Sequence, residues 1–72
     1  MHGQHGIRIE TRDRLLRAWE NSMELVRDFE SYSHEIADDA EAAAMFAQFA
    51  IDEGLHASML RDRLHAYQRR GK

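Results

Sequence analysis

The sequence contains no cysteine and no proline, and its glycines lie only at positions 3, 6, 54 and 71. The absence of cysteine excludes disulfides and thiolate metal sites. The absence of proline and the scarcity of glycine favour long, uninterrupted helices. No apolar run approaches the length of a membrane span, and the start, MHGQHGIRIE, lacks the hydrophobic segment of a signal peptide. We therefore expect a cytoplasmic protein without membrane association.

A strongly basic surface is also lacking, because the formal net charge of the 72-residue chain is −3. This balance argues against a nucleic-acid partner, and the basic end RDRLHAYQRRGK is typical of a solvated helix terminus. A chain of this size without disulfides rarely encloses a stable core by itself. We therefore expect a homo-oligomer, a dimer or larger.

The spacing of apolar residues predicts two helices that are separated at Asp38 and Asp39. We expect a flexible N-terminus over residues 1–10 and one helical-hairpin domain over residues 11–70. The first helix, residues 11–37 with Thr11 as its N-cap, has one broad apolar face: Leu15, Trp19, Val26, Phe29 and Ile36. The second, residues 40–68, has an inner strip: Ala42, Phe46, Phe49, Glu53, His56, Leu60, Leu64 and Tyr67. The predicted fold is all-α, an antiparallel two-helix hairpin that dimerises into a four-helix bundle.

Glu53 and His56 are the candidate functional residues, because they lie three residues apart on the strip that we expect to be buried. An ionised carboxylate in such a place is costly unless it is paired or bound to a cation. A carboxylate and an imidazole together suit iron, manganese or zinc. The alternative interpretation is a core histidine that bonds to Glu53 across one helical turn.

The segment MFAQFAIDEGLHASMLRDRL resembles the ligand-bearing second helix of rubrerythrin-type, ferritin-like proteins, with matches at Ala50, Glu53, His56, Leu60 and Leu64. The short chain is similar to encapsulated ferritins, whose two-helix subunits dimerise to build an iron site. This resemblance implies that Glu53 and His56 are ligands of a di-iron site, and that the activity is oxidation of iron(II) by oxygen, a ferroxidase activity. The encapsulated members also carry a shell-targeting extension, and the ending RRGK does not support association with an encapsulin shell.

The family pattern also requires an inward-facing glutamate on the first helix. We choose Glu30, because it lies on the strip of Leu16 and Met23, although it is displaced along the axis by about 9 Å, six residues at ~1.5 Å each. Glu24 lies level with Glu53 but points away from the apolar face, and Glu20 flanks that face. The first-helix ligand therefore remains open among these three residues, or it is absent.

A second function also remains open. The chain can be a non-enzymatic hairpin that self-associates or docks on a partner without metal. The docking residues would then be Leu25, Tyr32, Leu55 and Met59, and Glu30 would pair with Arg27 or His34.

Overall fold

The computed structural model describes the backbone of residues 2–70 and the side chains of residues 10–67. Over this part of the chain two helices pack against each other, α1 (His2–Glu35) and α2 (Ala40–Arg70), and no strand occurs. The hairpin measures 57 × 19 × 12 Å. The all-α prediction is confirmed. The predicted start of the first helix at Thr11 was wrong, because α1 already begins at His2 and Thr11 lies inside it.

Asp39 caps α2 and thereby fixes the turn between the helices. The backbone N–H of Ala42 donates a hydrogen bond to Oδ1 of Asp39 at 3.0 Å. The N–H of Ala43 donates to the carbonyl of Asp39, also at 3.0 Å. Glu41 adds a negative charge in the first turn, where it faces the positive end of the helix dipole. The predicted break at Asp38 and Asp39 is confirmed, and a carboxylate acceptor for the orphan N–H groups explains it.

The two helices meet along a seam with alternating steps of three and four residues, the spacing of antiparallel coiled-coil-like pairs. Where side chains are described, four on the seam are buried: Ser22, Ala50, Ala57 and Leu64. The remaining seam residues are half-buried: Leu15, Trp19, Val26, Phe29, Ser33, Ile36, Ala43, Phe46, Glu53, Leu60 and Tyr67. The apolar face predicted for the first helix is therefore confirmed.

The predicted inner strip of α2 was wrong at three positions, the first being Ala42, whose neighbour Ala43 lies on the seam. Ala50 and Ala57 occupy the seam where Phe49 and His56 were expected, and Phe49 is 40% exposed. An alanine leaves room for the opposite backbone, so a seam lined by alanines lets the two helices approach more closely than large side chains allow. One residue corresponds to about 100° of rotation, which moves Phe49 and His56 to the flank of the seam.

Four aromatic rings cluster at the turn end of the hairpin. Phe29 lies 5.8 Å from Phe46 and 5.7 Å from Phe49 between ring centroids. Tyr32 lies 5.3 Å from Phe46 in an edge-to-face arrangement. These contacts join α1 to α2 across the seam and fix the register, in which residue numbers rise along one helix and fall along the other.

Many large apolar side chains remain exposed on the outside of the hairpin. Among residues 10–67 these are Leu16, Met23, Leu25, Tyr32, Met45, Phe49, Ile51, Leu55 and Met59. Over the described residues, neither helix combines the length and apolar character that a membrane span requires.

Candidate metal site

Glu53 lies on the α2 side of the seam, directly opposite Ser22 of α1. The hydroxyl of Ser22 donates a hydrogen bond to Oε2 of Glu53 at 2.6 Å. Ser22 is only 6% exposed, and the Glu53 side chain is 18% exposed. A hydrogen bond to an ionised acceptor is about twice as strong as one between neutral groups. This hydrogen bond therefore stabilises the Glu53 carboxylate at a position that is largely shielded from water.

His56 lies one helical turn beyond Glu53, with its side chain 63% exposed. Its Nδ1 atom is 3.4 Å from Oε1 of Glu53, which is longer than an ordinary N–H···O hydrogen bond. The two oxygens of Glu53 thus have different surroundings, since Oε2 accepts from Ser22 and Oε1 faces the imidazole. The predicted proximity of Glu53 and His56 is present in the structure, but His56 lies at the flank of the seam and not within it.

Glu30 lies on the other flank of the hairpin. It is exposed, and it borders a shallow groove of about 220 Å³ together with Ala50 and Ile51. Ile51 follows the buried Ala50 in sequence, whereas His56 precedes the buried Ala57, so these two side chains project to opposite sides of α2.

The level of Glu30 along the hairpin differs from that of Glu53 as well. Eight residues separate Glu30 from Ser22, which is about 12 Å along the helix. Within one chain, the structure therefore does not bring Glu30 to Glu53 and His56.

The other two first-helix candidates are closer in level to Glu53. Glu20 and Glu24 each lie two residues from Ser22, or about 3 Å along the axis. Both are exposed, and both border a surface groove beside Arg27. Within residues 10–67, no group of three or more histidine, aspartate or glutamate side chains is arranged to hold a metal ion. Glu53 and His56 are thus two possible metal ligands, and the described residues of a single chain place no third ligand beside them.

Ser22 is the residue of this candidate site that the sequence analysis missed. It lies midway between Leu15 and Phe29, seven residues from each, which is the repeat of the α1 seam. A serine in that register is a polar side chain aimed at the opposite helix. Searching the seam positions for polar residues on both helices would have paired it with Glu53.

Comparisons of the chain with protein-family models, with curated proteins and with solved structures found no match. The proposal of a function therefore depends on the geometry of this site.

Proposed function

We propose that the hairpin binds a divalent metal ion, iron(II) in the first instance, between two copies of the chain. Glu53 and His56 of each copy would supply two carboxylates and two imidazoles. Such a mixed set of oxygen and nitrogen donors suits iron, manganese and zinc. The observation that carries the proposal is the half-buried Glu53 carboxylate, whose Oε1 faces an exposed imidazole one turn away.

The flank that carries His56 also supplies apolar surface for the second copy. Phe49 lies two turns before His56 along α2, and Leu25 and Tyr32 lie on the adjoining flank of α1. All three are at least 39% exposed. Packing this flank against its own copy would form a four-helix bundle and would exclude water from the Glu53 carboxylates. The assembly supports the metal site because the missing donors come from the partner.

The chain's own residues would prepare the site in three ways. Ser22 holds Oε2 of Glu53 and so limits the rotation of the carboxylate. His56, exposed in the single chain, stays accessible until the partner arrives. The apolar side chains around them lower the local dielectric constant, which strengthens charge interactions. Iron bound there would supply electrons for the reduction of oxygen, the ferroxidase chemistry implied by the resemblance to ferritin-like proteins.

A second function, self-association without metal, is favoured by the same hydrogen bond. Ser22 already satisfies one oxygen of Glu53, and among residues 10–67 no buried side-chain nitrogen or oxygen lacks a partner. In this case Glu53 serves to fix the register of the two helices. The two functions differ in the role of His56: metal binding requires its imidazole, whereas self-association without metal does not.

Metal binding to matched variants separates them. Anaerobic titration calorimetry with iron(II) compares the parent chain with Glu53→Gln, His56→Ala and the control His65→Ala, which removes another exposed histidine of α2. His2 and His5 are replaced by alanine in every sample, so that terminal imidazoles do not contribute. We expect binding in the parent chain and in His65→Ala, and its loss in the other two. Equal affinity of the two histidine variants would refute the metal site.

The contribution of the first helix is measured in the same way. A di-iron site corresponds to one ion per chain, whereas the four donors proposed above can hold a single ion per pair of chains. Completion of a di-iron site by Glu30 would require a partner packed on the flank that carries Glu30, and in that case Glu30→Gln halves the stoichiometry while the control Glu24→Gln does not. If Glu30 takes no part, both variants bind as the parent chain does.

A further inference from the structure

Among residues 10–67, the three most exposed large apolar side chains form one row on α2. Ile51, Leu55 and Met59 are 61%, 62% and 69% exposed, and they follow one another at steps of four residues. Ala50 and Ala57 of the same helix are buried against α1. The helical repeat therefore places this row, the α2 ridge, on the side of the helix that points away from α1.

The outer side of α1 is different in character. The positions of α1 that lie opposite its own seam carry polar and charged residues: Arg17, Glu20, Glu24, Arg27, Asp28 and Ser31. If both outer sides of the hairpin faced water, we would expect both to be polar, yet the outer side of α2 is apolar. The asymmetry indicates that another molecule covers the outer side of α2 and leaves the outer side of α1 in water.

The charge distribution along α2 indicates which molecule this is. Residues 40–54 contain acidic residues and no lysine or arginine, whereas residues 55–70 contain four arginines and a single acidic residue. The acidic half holds Glu41 and Asp52, both exposed, and Glu53, which faces α1; the basic half holds Arg61, Arg63, Arg69 and Arg70 together with Asp62. Two copies of α2 in antiparallel orientation bring each acidic half beside a basic half, while a parallel pair brings like charges together.

We propose that a second copy of the chain docks across the α2 ridge in antiparallel orientation, with Leu55 at the two-fold axis. Ile51 of one copy then packs against Met59 of the other, as ridges spaced by four residues do in helix pairs. Gln48 and Asp62 lie seven residues on either side of Leu55, so an amide donor of one copy lies beside a carboxylate of the other. This contact differs from the flank that carries His56, and it does not depend on a metal.

Disulfide trapping tests the orientation, because the chain has no cysteine of its own. Leu55→Cys is oxidised with oxidised glutathione and compared with Leu16→Cys, an exposed apolar position on α1. We expect Leu55→Cys to form a covalent dimer at least about tenfold faster, since residues held at an interface have a high effective concentration. A mixture of Ile51→Cys and Met59→Cys should yield mainly the mixed dimer. Self-linked dimers of each variant would show a parallel pair and overturn the proposal.

Sedimentation in EDTA tests the contact without metal. Leu55→Glu places two like charges at the axis, so we expect at least about a tenfold weaker self-association, with Leu16→Glu unchanged. Far-UV circular dichroism verifies that both variants stay helical. A parent chain that sediments as a monomer in EDTA, or equal association of the two variants, would overturn the proposal. Loss of iron binding in His56→Ala with intact sedimentation separates the metal site from this contact.

Discussion

The hydrogen bond between Ser22 and Glu53 leads to a quantitative stability prediction for Ser22→Ala. A hydrogen bond to a charged group contributes about 1.5–3 kcal/mol when both groups are shielded from water. Here the Glu53 side chain keeps 18% exposure, so water replaces part of the lost interaction. We therefore expect the variant to lower the free energy of unfolding by about 1–2 kcal/mol.

A double-mutant cycle isolates this bond from other effects of the substitution. With Glu53→Leu as the background, Ser22→Ala removes a hydroxyl that has already lost its acceptor, so we expect a cost near zero. Glu53→Leu alone removes a charge from the seam but leaves the buried Ser22 hydroxyl without this acceptor, so the two effects oppose each other and we expect a small net change in metal-free protein. Ser33→Ala, at another seam position of α1, is the matched control for the loss of a serine hydroxyl.

The assay is urea unfolding followed by far-UV circular dichroism at neutral pH in EDTA. All variants are measured at one protein concentration, because self-association adds to the apparent stability. The free energies come from linear extrapolation, and the slopes must agree among the variants. If Ser22→Ala costs the same with and without Glu53, the bond contributes no coupling energy and the reasoning about the seam is refuted.

Three further substitutions test the fold by the same unfolding assay. Asp39→Ala removes the cap of α2 and should cost about 1 kcal/mol, whereas Asp38→Ala should change stability by less than about 0.5 kcal/mol; equal effects would contradict the cap. Ala57→Leu should cost about 1–3 kcal/mol because a buried alanine leaves no room for a larger side chain, and the exposed Ser58→Leu should be tolerated; a stable Ala57→Leu would show a looser seam. Phe46→Ala removes the ring that touches three other aromatic rings and should cost about 3 kcal/mol, with loss of the near-ultraviolet signal of the cluster; an unchanged signal would argue against the ring contacts.

The hairpin and its turn could be predicted from the sequence because their signals are local. Asp39 lies where the apolar phase of the chain changes, and a carboxylate at that point both ends one helical register and caps the next. The apolar face of α1 was equally clear, since its residues are large and regularly spaced. These features depend on backbone hydrogen bonds and side-chain periodicity, and both are determined mainly by residues that are close together in the sequence.

The position of His56 could not be predicted in the same way. Two neighbouring strips of α2 are apolar, one with Phe49 and one with Ala50 and Ala57, and hydrophobicity alone favours the strip with the larger side chain. How closely the helices approach decides between them, and that depends on the facing residues of α1. Glu30 was chosen from the direction of its side chain on the first helix, without knowledge of how the two helices align. Within one chain the structure places Glu30 on the flank opposite His56.

The 12 Å thickness of the hairpin is close to the diameter of a single helix with its side chains. Along residues 10–67 no large side chain is therefore completely enclosed, and every one of them meets either solvent or another molecule. If the chain self-associates as proposed, contacts between chains add to its folding free energy. Its melting temperature should accordingly rise with protein concentration, and dilution alone should be enough to loosen it.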